Sequence, residues 1–332
     1  VTLRMAYLIG IDEAGYGPFL GPLCIGATLW QIPDSQHTNE FDLYDELQDC
    51  VTTTLKDKSR IMVGDSKLAY KPKSGLQNLE RAVHTFTNLL SLQTNQANTI
   101  TCPDFQSWMK AIGIRWQAWS DTSPWFKNYN CELPVDVNKS IIPHLQTNLE
   151  TTLSALGIKF LDAKVMCIPA ARFNYLLNSF PTKGALLSHC SLELAQSIVA
   201  NQPPAPLLVH CDKHGGRNRY SHLLQQLYPD YWIDIAEEST AISRYYFGPP
   251  DQRVQFRFVA KGEGFLPTAL ASMYAKYTRE LSMQAFNQYW QQHVKDIKPT
   301  AGYPQDARRF RAEIEDQLQN LNILEEVLWR RS

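Results

Sequence analysis

Short apolar runs that stop on an acid set the rhythm of this chain. Tyr7-Leu8-Ile9-Gly10-Ile11 ends against Asp12 and Glu13, and so brief an apolar, β-branched run reads as a buried strand. Leu23 to Trp30 has the same character and predicts its hairpin partner, across a loop carrying Gly15, Gly17 and Gly21. Gly157 to Val165 predicts another strand. Pro206 to Asp212 predicts a second apolar strand ending on an aspartate. Val254 to Val259 alternates like a strand with one wet face. Helices are predicted near 72–91, over 184–200, from Asn218 to Tyr228 and from Leu266 to Gln292, the last with Pro267 in its first turn. A closing helix is expected over about 306–330. Residues 31–60 are polar and acidic and read as a surface excursion. Interleaved strands and helices make the class α/β, with α+β as the neighbouring possibility.

Between 92 and 150 the pattern changes. Four of the eight tryptophans, at 108, 116, 119 and 125, fall there among many Asn, Thr and Ser residues. This predicts an inserted Trp-rich subdomain or loop with a small aromatic core of its own. Exposed aromatics that stack on bases are the alternative. The expected plan is one main domain from 1–91 and 151–305, the insert at 92–150, and the closing helix at 306–332.

Composition narrows the partners. The chain has 332 residues, 44% of them hydrophobic, enough for a substantial core. A net charge of −1 gives no overall field for a polyanion, so nucleic acid would need a local basic surface. The seven cysteines are odd in number and none is spaced Cys-x-x-Cys, which predicts free thiols in a reducing compartment. No apolar run reaches the roughly 18 residues of a membrane span, and the N-terminal residues lack the order of a signal peptide. The expectation is a soluble, cytoplasmic protein with no membrane and no obligate protein partner.

The acids bring in chemistry. Gly15, Gly17 and Gly21 miss the spacing of a dinucleotide loop, and no Gly-Lys-Ser/Thr of a P-loop is present. Asp12 and Glu13 beside an anionic ligand would repel it unless cations intervene. The plainer reading of such a pair is a polar cap on a turn. Asp212 ends a second strand, and Glu263 follows a third just before the long helix. Converging carboxylates repel one another unless cations sit between them. Oxygen-only ligands favour Mg²⁺ or Mn²⁺, and two such ions about 3.5–4 Å apart stabilise both attacking and leaving oxygens in phosphodiester cleavage.

Basic residues are the complement. Lys213, His214, Arg217 and Arg219 directly follow Asp212 and are candidates to grip phosphate, against the plainer reading of a solvated basic turn. His214 reads either as a surface histidine or as a proton donor to a leaving group. Arg253, Arg257 and Lys261 are spaced by four and project to one face of a strand-like run. Lys276 and Arg279 share a helix face that supports the acids or binds phosphate. Ala271, Ser272 and Ala275 are small and let that helix lie close to a sheet.

Three blocks together resemble a known family. "GIDEAGYGPFLGP" resembles the opening strand and glycine loop of type 2 ribonuclease H (ribonuclease HII), "GDSKL" at 64–68 is similar to its D-S-K-K-L block, and "VAKGEGFLPTALASMYAKYTREL" at 259–281 to its block before and along the long helix. "LLVHCD" sits where the family has its third acidic strand, and "AGYP" at 301–304 resembles its K-G-Y-G-T segment. The blocks keep the family order from 7 to about 305.

The resemblance implies an RNase H-like fold, a mixed central sheet flanked by helices with a large insertion. It implies two-metal hydrolysis of the RNA strand of RNA–DNA hybrids, or at embedded ribonucleotides, leaving 5′-phosphate and 3′-hydroxyl ends. It implies Asp12, Glu13, Asp212 and Glu263 as the catalytic, metal-binding acids for two Mg²⁺ or Mn²⁺ ions, with Glu263 where the family has Asp. It implies Gly15, Tyr16 and Gly17 as the backbone element against the ribonucleotide's 2′-hydroxyl, the group that separates RNA from DNA. Tyr303 matches the tyrosine stacked near that sugar, and Ser66 and Lys67 a substrate-side pair. Tyr16 replaces the family's Arg, and phosphate contacts are expected to have moved to the run after Asp212, with Lys213, Arg217 and Arg219; Lys261 is expected to pair with an acid or a phosphate, a salt bridge being the plainer reading. A catalytically altered nucleic-acid-binding relative, or a nuclease for another nucleic acid, are the alternatives.

Overall fold

The apolar runs that end on acids lie side by side. The computed structural model describes residues 5–34, 41–71, 75–92, 102–115, 117–120 and 122–331. Among these residues the strands are β1 (Met5–Ala14), β2 (Leu23–Pro33), β3 (Val51–Thr52), β4 (Ile61–Met62), β5 (Lys159–Ile168), β6 (Leu207–Asp212), β7 (Asp234–Glu238), β8 (Ile242–Phe247) and β9 (Val254–Val259). Seven of them form one mixed sheet in the order β5-β2-β1-β6-β9-β8-β7, and β3 and β4 pair separately. β1 and β2 are an antiparallel hairpin. β1, β6 and β9 run parallel, with Ile11 opposite Cys211 and Asp212 opposite Val259, so their C-terminal ends align.

Side chains alternate between two buried layers. Ala6 and Leu8 join a core with Trp30, Phe86 and the long helix Leu266–His293. Tyr7, Ile9 and Ile11 join a second core with Leu186, Cys190 and Ala195 of helix Lys183–Val199. A strand covered on both faces reads as a continuous apolar run, which is why these strands were visible in the sequence. The long helix lies directly on β1 and β2. A Cβ on Gly10 would overlap the backbone of Pro267 and Thr268, and one on Gly26 the carbonyl of Ala271. The small residues expected on the helix therefore meet glycines in the strands, and the Thr28 hydroxyl donates to the Pro267 carbonyl at 2.8 Å across the contact. No helix of the described residues is long and apolar enough to cross a membrane.

Four expectations need correction. Within 31–60, Leu43, Leu47, Cys50 and Val51 are buried in the main core, because a few apolar residues among many acids suffice to pin a segment down. The tryptophans of 92–150 do not make a core of their own. Trp108 stacks on Tyr274 and Trp125 packs edge-on against Phe286, both on the long helix; Trp116 lies outside the described residues. The closing helix is three short ones, Pro304–Glu313, Glu315–Asn320 and Glu325–Leu328. Asn322 adopts a left-handed backbone (φ 52°), a conformation Asn tolerates, and turns the chain back. Lys261 is also left-handed (φ 65°) and lies beyond β9, so it does not continue the strand face of Arg253 and Arg257. Strand β7 had no apolar run to announce it, since Asp234, Ile235 and Ala236 are exposed on the sheet's edge.

Candidate functional site

Strand register places the acids. Asp12 and Glu13 sit in the last turn of pleat on β1, Asp212 at the end of β6, and Glu263 in the tight turn that joins β9 to the long helix. All four are partly buried. Burial, and then the charges of Asp212 and Glu263, raise the Asp12 carboxyl to about 7, against hydrogen bonds from Ser272 and the Glu13 N–H. Glu13 is held well above the usual carboxylate range by burial and then by Asp12 and Asp212, with Lys67 opposing. Asp212 is raised by burial, and Glu263 adds to it, although the Gly262 N–H donates to Asp212 at 2.9 Å. The four carboxylates thus act on one another electrostatically across three neighbouring chain segments.

The substrate-side pair is tied to this group. Ser66 is buried, and its hydroxyl lies 3.0 Å from that of Ser272, the same serine that bonds to Asp12. Lys67 is exposed and acts on Glu13. Asp65 caps the short helix Ser66–Ala69 by accepting from the Lys67 N–H, which fixes where that lysine starts. The Tyr44 hydroxyl donates to the Val63 and Glu263 carbonyls at 3.4 and 3.2 Å, joining this segment to the Glu263 turn.

Behind the glycine loop stand two buried arginines, Arg279, expected to support the acids or bind phosphate, and Arg330, which sequence reasoning did not assign. Gly15 is left-handed (φ 85°), and a Cβ there would overlap Arg279. Arg279 Nη2 donates to the carbonyls of Ala301 at 2.8 Å and Leu20 at 3.4 Å. Arg330 Nη2 donates to the carbonyls of Gly15 at 2.5 Å and Pro18. Burial and then Arg279 lower the Arg330 guanidinium to about 9. Trp329 packs on Phe19 at 4.8 Å between ring centres, and the Arg330 N–H donates to the Phe19 carbonyl at 2.9 Å. The Phe19 N–H donates to the Gly302 carbonyl at 2.8 Å, which brings Tyr303, 53% exposed, to the edge of the same loop. Arg279 and Lys276 both reach Glu280, at 3.5 and 2.6 Å, so the expected role of this helix face toward phosphate gives way to an internal ion cluster.

The basic loop after Asp212 divides. Lys213 turns inward and donates to Asn218 Oδ1 at 2.9 Å, the Ser239 carbonyl at 2.5 Å and Ser243 Oγ at 3.1 Å. His214 is buried, with Nδ1 3.1 Å from Ser188 Oγ and its ring edge-on to Tyr220 and Phe258. Burial and then Arg217 lower it to about 3, so the ring is neutral and has no route to a leaving group. Arg219 is exposed and lies 3.7 Å from Glu238. Arg217 follows the left-handed pair Gly215 and Gly216 and stands over the Tyr220 ring at 6.0 Å. Lys261 is exposed on the Glu263 turn. The expected basic cluster is thus Arg217, Arg219 and Lys261, without Lys213 and His214 as outward-facing groups.

Among the described residues no three His, Cys, Asp or Glu side chains are drawn closely enough together to hold an ion as they stand. The donor set itself fits a hard divalent cation: carboxylate oxygens alone, two of them on adjacent residues, with Asp12, Glu13 and Asp212 raised by burial and then by neighbouring carboxylates, which a positive charge would relieve.

Fold and site define an α/β protein with a carboxylate group at the exits of parallel strands. No protein-family model matches the chain, and no curated protein matches it in sequence. Solved structures are similar in fold. The ribonuclease H2 from Pyrococcus horikoshii OT3 is 14% identical, covers 97% of this chain and 92% of its own, and gives a TM-score of 0.41. The RNase HII in a PCNA complex from Archaeoglobus fulgidus is 12% identical, with coverage of 97% and 92% and a TM-score of 0.39. Bst-RNase HIII in complex with Mn²⁺ is 12% identical, with coverage of 99% and 67% and a TM-score of 0.38. Identities and scores this low leave function to be argued from the site.

Proposed function

We propose that this chain is a divalent-metal-dependent endonuclease of the ribonuclease H type, cutting the RNA strand of RNA–DNA hybrids or at embedded ribonucleotides. The observation that carries it is the delivery of Asp12, Glu13 and Asp212 at aligned strand ends, with Glu263 in the turn after β9, beside a glycine loop whose Gly17 leaves the backbone open. Asp12, Glu13, Asp212 and Glu263 would hold two Mg²⁺ or Mn²⁺ ions, which when bound stabilise charge on the phosphoryl oxygens during hydrolysis. Ser272 holds Asp12 by a hydrogen bond and Ser66 holds Ser272, so the Asp12 carboxylate has a fixed orientation. Lys67 supplies an exposed cation that acts on Glu13. The exposed Tyr303 ring and the Gly15–Gly17 backbone flank the place for a sugar, where a 2′-hydroxyl is tested.

Four labelled duplexes test this in Mg²⁺ or Mn²⁺: one embedded ribonucleotide, a ribonucleotide tract, a full RNA–DNA hybrid and pure DNA. The expected result is cleavage of one or more ribonucleotide-containing duplexes, lost in Asp12→Asn. Cleavage of pure DNA alone defeats the ribonuclease assignment, cleavage that survives Asp12→Asn defeats the acid site, and no cleavage leaves a binding relative.

A further inference from the structure

Tyr16 is wedged between two chain segments that carry cations. A Cβ on Gly184 or on Gly215 would lie 3.3 Å from the Tyr16 hydroxyl oxygen, so a side chain at either point would press on the ring. Lys183, next to the first of these glycines, stands over the Tyr16 ring with Nζ 5.2 Å from its centre. Arg217, two residues beyond the second, acts electrostatically on the Tyr16 hydroxyl, as does Glu13. Burial and then Glu13 raise that hydroxyl above its ordinary value, so it stays a neutral O–H donor at neutral pH. The ring offers its face to Lys183, a weak attraction between two half-buried residues. Among the described residues no carboxylate lies within ion-pair distance of Lys183 or Arg217. Two cations without a carboxylate in ion-pair distance among the described residues therefore stand with a hydroxyl donor at the rim of the acid group.

Their place beside the acids selects the ligand. An isolated anion would gain from the two cations but lose to Asp12 and Glu13 nearby. A phosphodiester strand avoids that conflict, because one phosphate sits on the cations while a neighbouring one lies over the acids. We propose that Lys183, Arg217 and the Tyr16 hydroxyl form a subsite for one backbone phosphate of the nucleic-acid strand, adjacent to the scissile one, an inference that rests on the nuclease reading above. In this subsite Lys183 supplies the cation next to a glycine loop that carries a tyrosine. Such a contact positions the strand and carries no base preference.

The test is binding rather than cutting. Anisotropy of a labelled duplex with one embedded ribonucleotide is measured in EDTA between about 50 and 200 mM salt, where each phosphate contact adds about 0.9 to the slope of log affinity against log salt. Lys183→Ala is expected to weaken binding about threefold to tenfold and to lower the slope by about one contact. Lys183→Arg keeps the slope. Lys159→Ala, an exposed lysine at the start of β5 and the far end of the sheet, matches the parent. Lys183→Ala with unchanged affinity and slope overturns the subsite. If the parent cuts and Lys183→Ala keeps its slope, the subsite fails and the nuclease reading stands. If the parent binds without cutting any duplex and Lys183→Ala lowers the slope, the nuclease reading fails and the subsite stands. A parent that binds no nucleic acid overturns both.

Discussion

Two loops leave the sheet from neighbouring parallel strands, each after an aspartate, and they use their polar residues in opposite ways. After Asp12 the chain gives Glu13 to the acid group and then runs through a glycine loop whose carbonyls accept from behind, Gly15 and Pro18 from Arg330 and Leu20 from Arg279. After Asp212 it gives Lys213 and His214 to the interior, where each finds partners, while Arg217 is half-buried over the Tyr220 ring and Arg219 is exposed. The backbone fixes the first loop and side chains fix the second. A charged residue near a site serves a ligand only if no internal acceptor claims it first, and Lys213 has three.

The sharpest way to break this comparison is at Asp12. Asp12→Asn should lower cleavage by about 10²–10³-fold or more, as loss of a group that acts on developing charge does. It should also stabilise the protein in metal-free buffer. The folded carboxyl is raised to about 7 from 3.8, so its contribution is present at acid pH and is lost as pH rises toward 7. At pH 8 the substitution relieves a repelled, partly buried charge. Melting curves with EDTA and with Mg²⁺ check this: the variant melts higher than the parent in EDTA and gains less from Mg²⁺. A variant that melts lower in EDTA contradicts the picture of an acid group waiting for positive charge.

Arg330 carries the opposite sign. Arg330→Ala removes the donor to the Gly15 and Pro18 carbonyls and should destabilise the protein by about 2–4 kcal/mol. Arg330→Lys recovers part, since one ammonium lacks the planar fork of a guanidinium. An unchanged denaturation midpoint would show that the glycine loop holds itself. Within the second loop, Lys213→Met should cost about 1–2 kcal/mol of stability by leaving Asn218 and Ser243 short of a donor. It should leave the salt dependence of duplex binding alone. Arg217→Ala should do the reverse. Equal effects of the two substitutions on binding would erase the distinction between inward and outward cations.

The same distinction explains what was legible in the sequence. Strands β1, β2 and β6 could be read because both of their faces are covered and their apolar runs are continuous, and β9 because its apolar residues alternate, with Phe256 and Phe258 in one core. The strand-end acids were legible because a strand fixes the direction of its last residues. The edge strand β7, polar and exposed, left no such mark. Arg330 was invisible for a different reason. Nothing local distinguishes it from Arg331 beside it, and it is buried only because Asn322 reverses the chain and Leu20 pairs with Trp329. Tryptophans at 108 and 125 were legible as aromatic and misread as a separate core, because the partners they choose lie about 160 residues away on the long helix.

His84 takes the inward case to its limit, far from the acid group. It is fully buried, with Nε2 3.1 Å from the Tyr277 hydroxyl, which in turn reaches Glu80 Oε1 at 3.2 Å. Glu80 is itself spent on the N–H groups of Val135, Asp136 and Val137. Burial and then Lys139 lower His84 to about 3, so the folded ring stays neutral where an unfolded one takes a proton near 6.5. The unfolded chain therefore binds the extra proton between pH 6.5 and 3, and stability falls as pH drops through that window. At pH 5.5 the loss is about 1 kcal/mol. His84→Gln, which keeps a polar atom for Tyr277 without a titrating ring, should flatten the parent's decline between pH 7 and 5.5 by that amount in urea denaturation. A decline as steep as the parent's would place the acid sensitivity in other groups, and would mean that a buried histidine here is protonated without opening the fold.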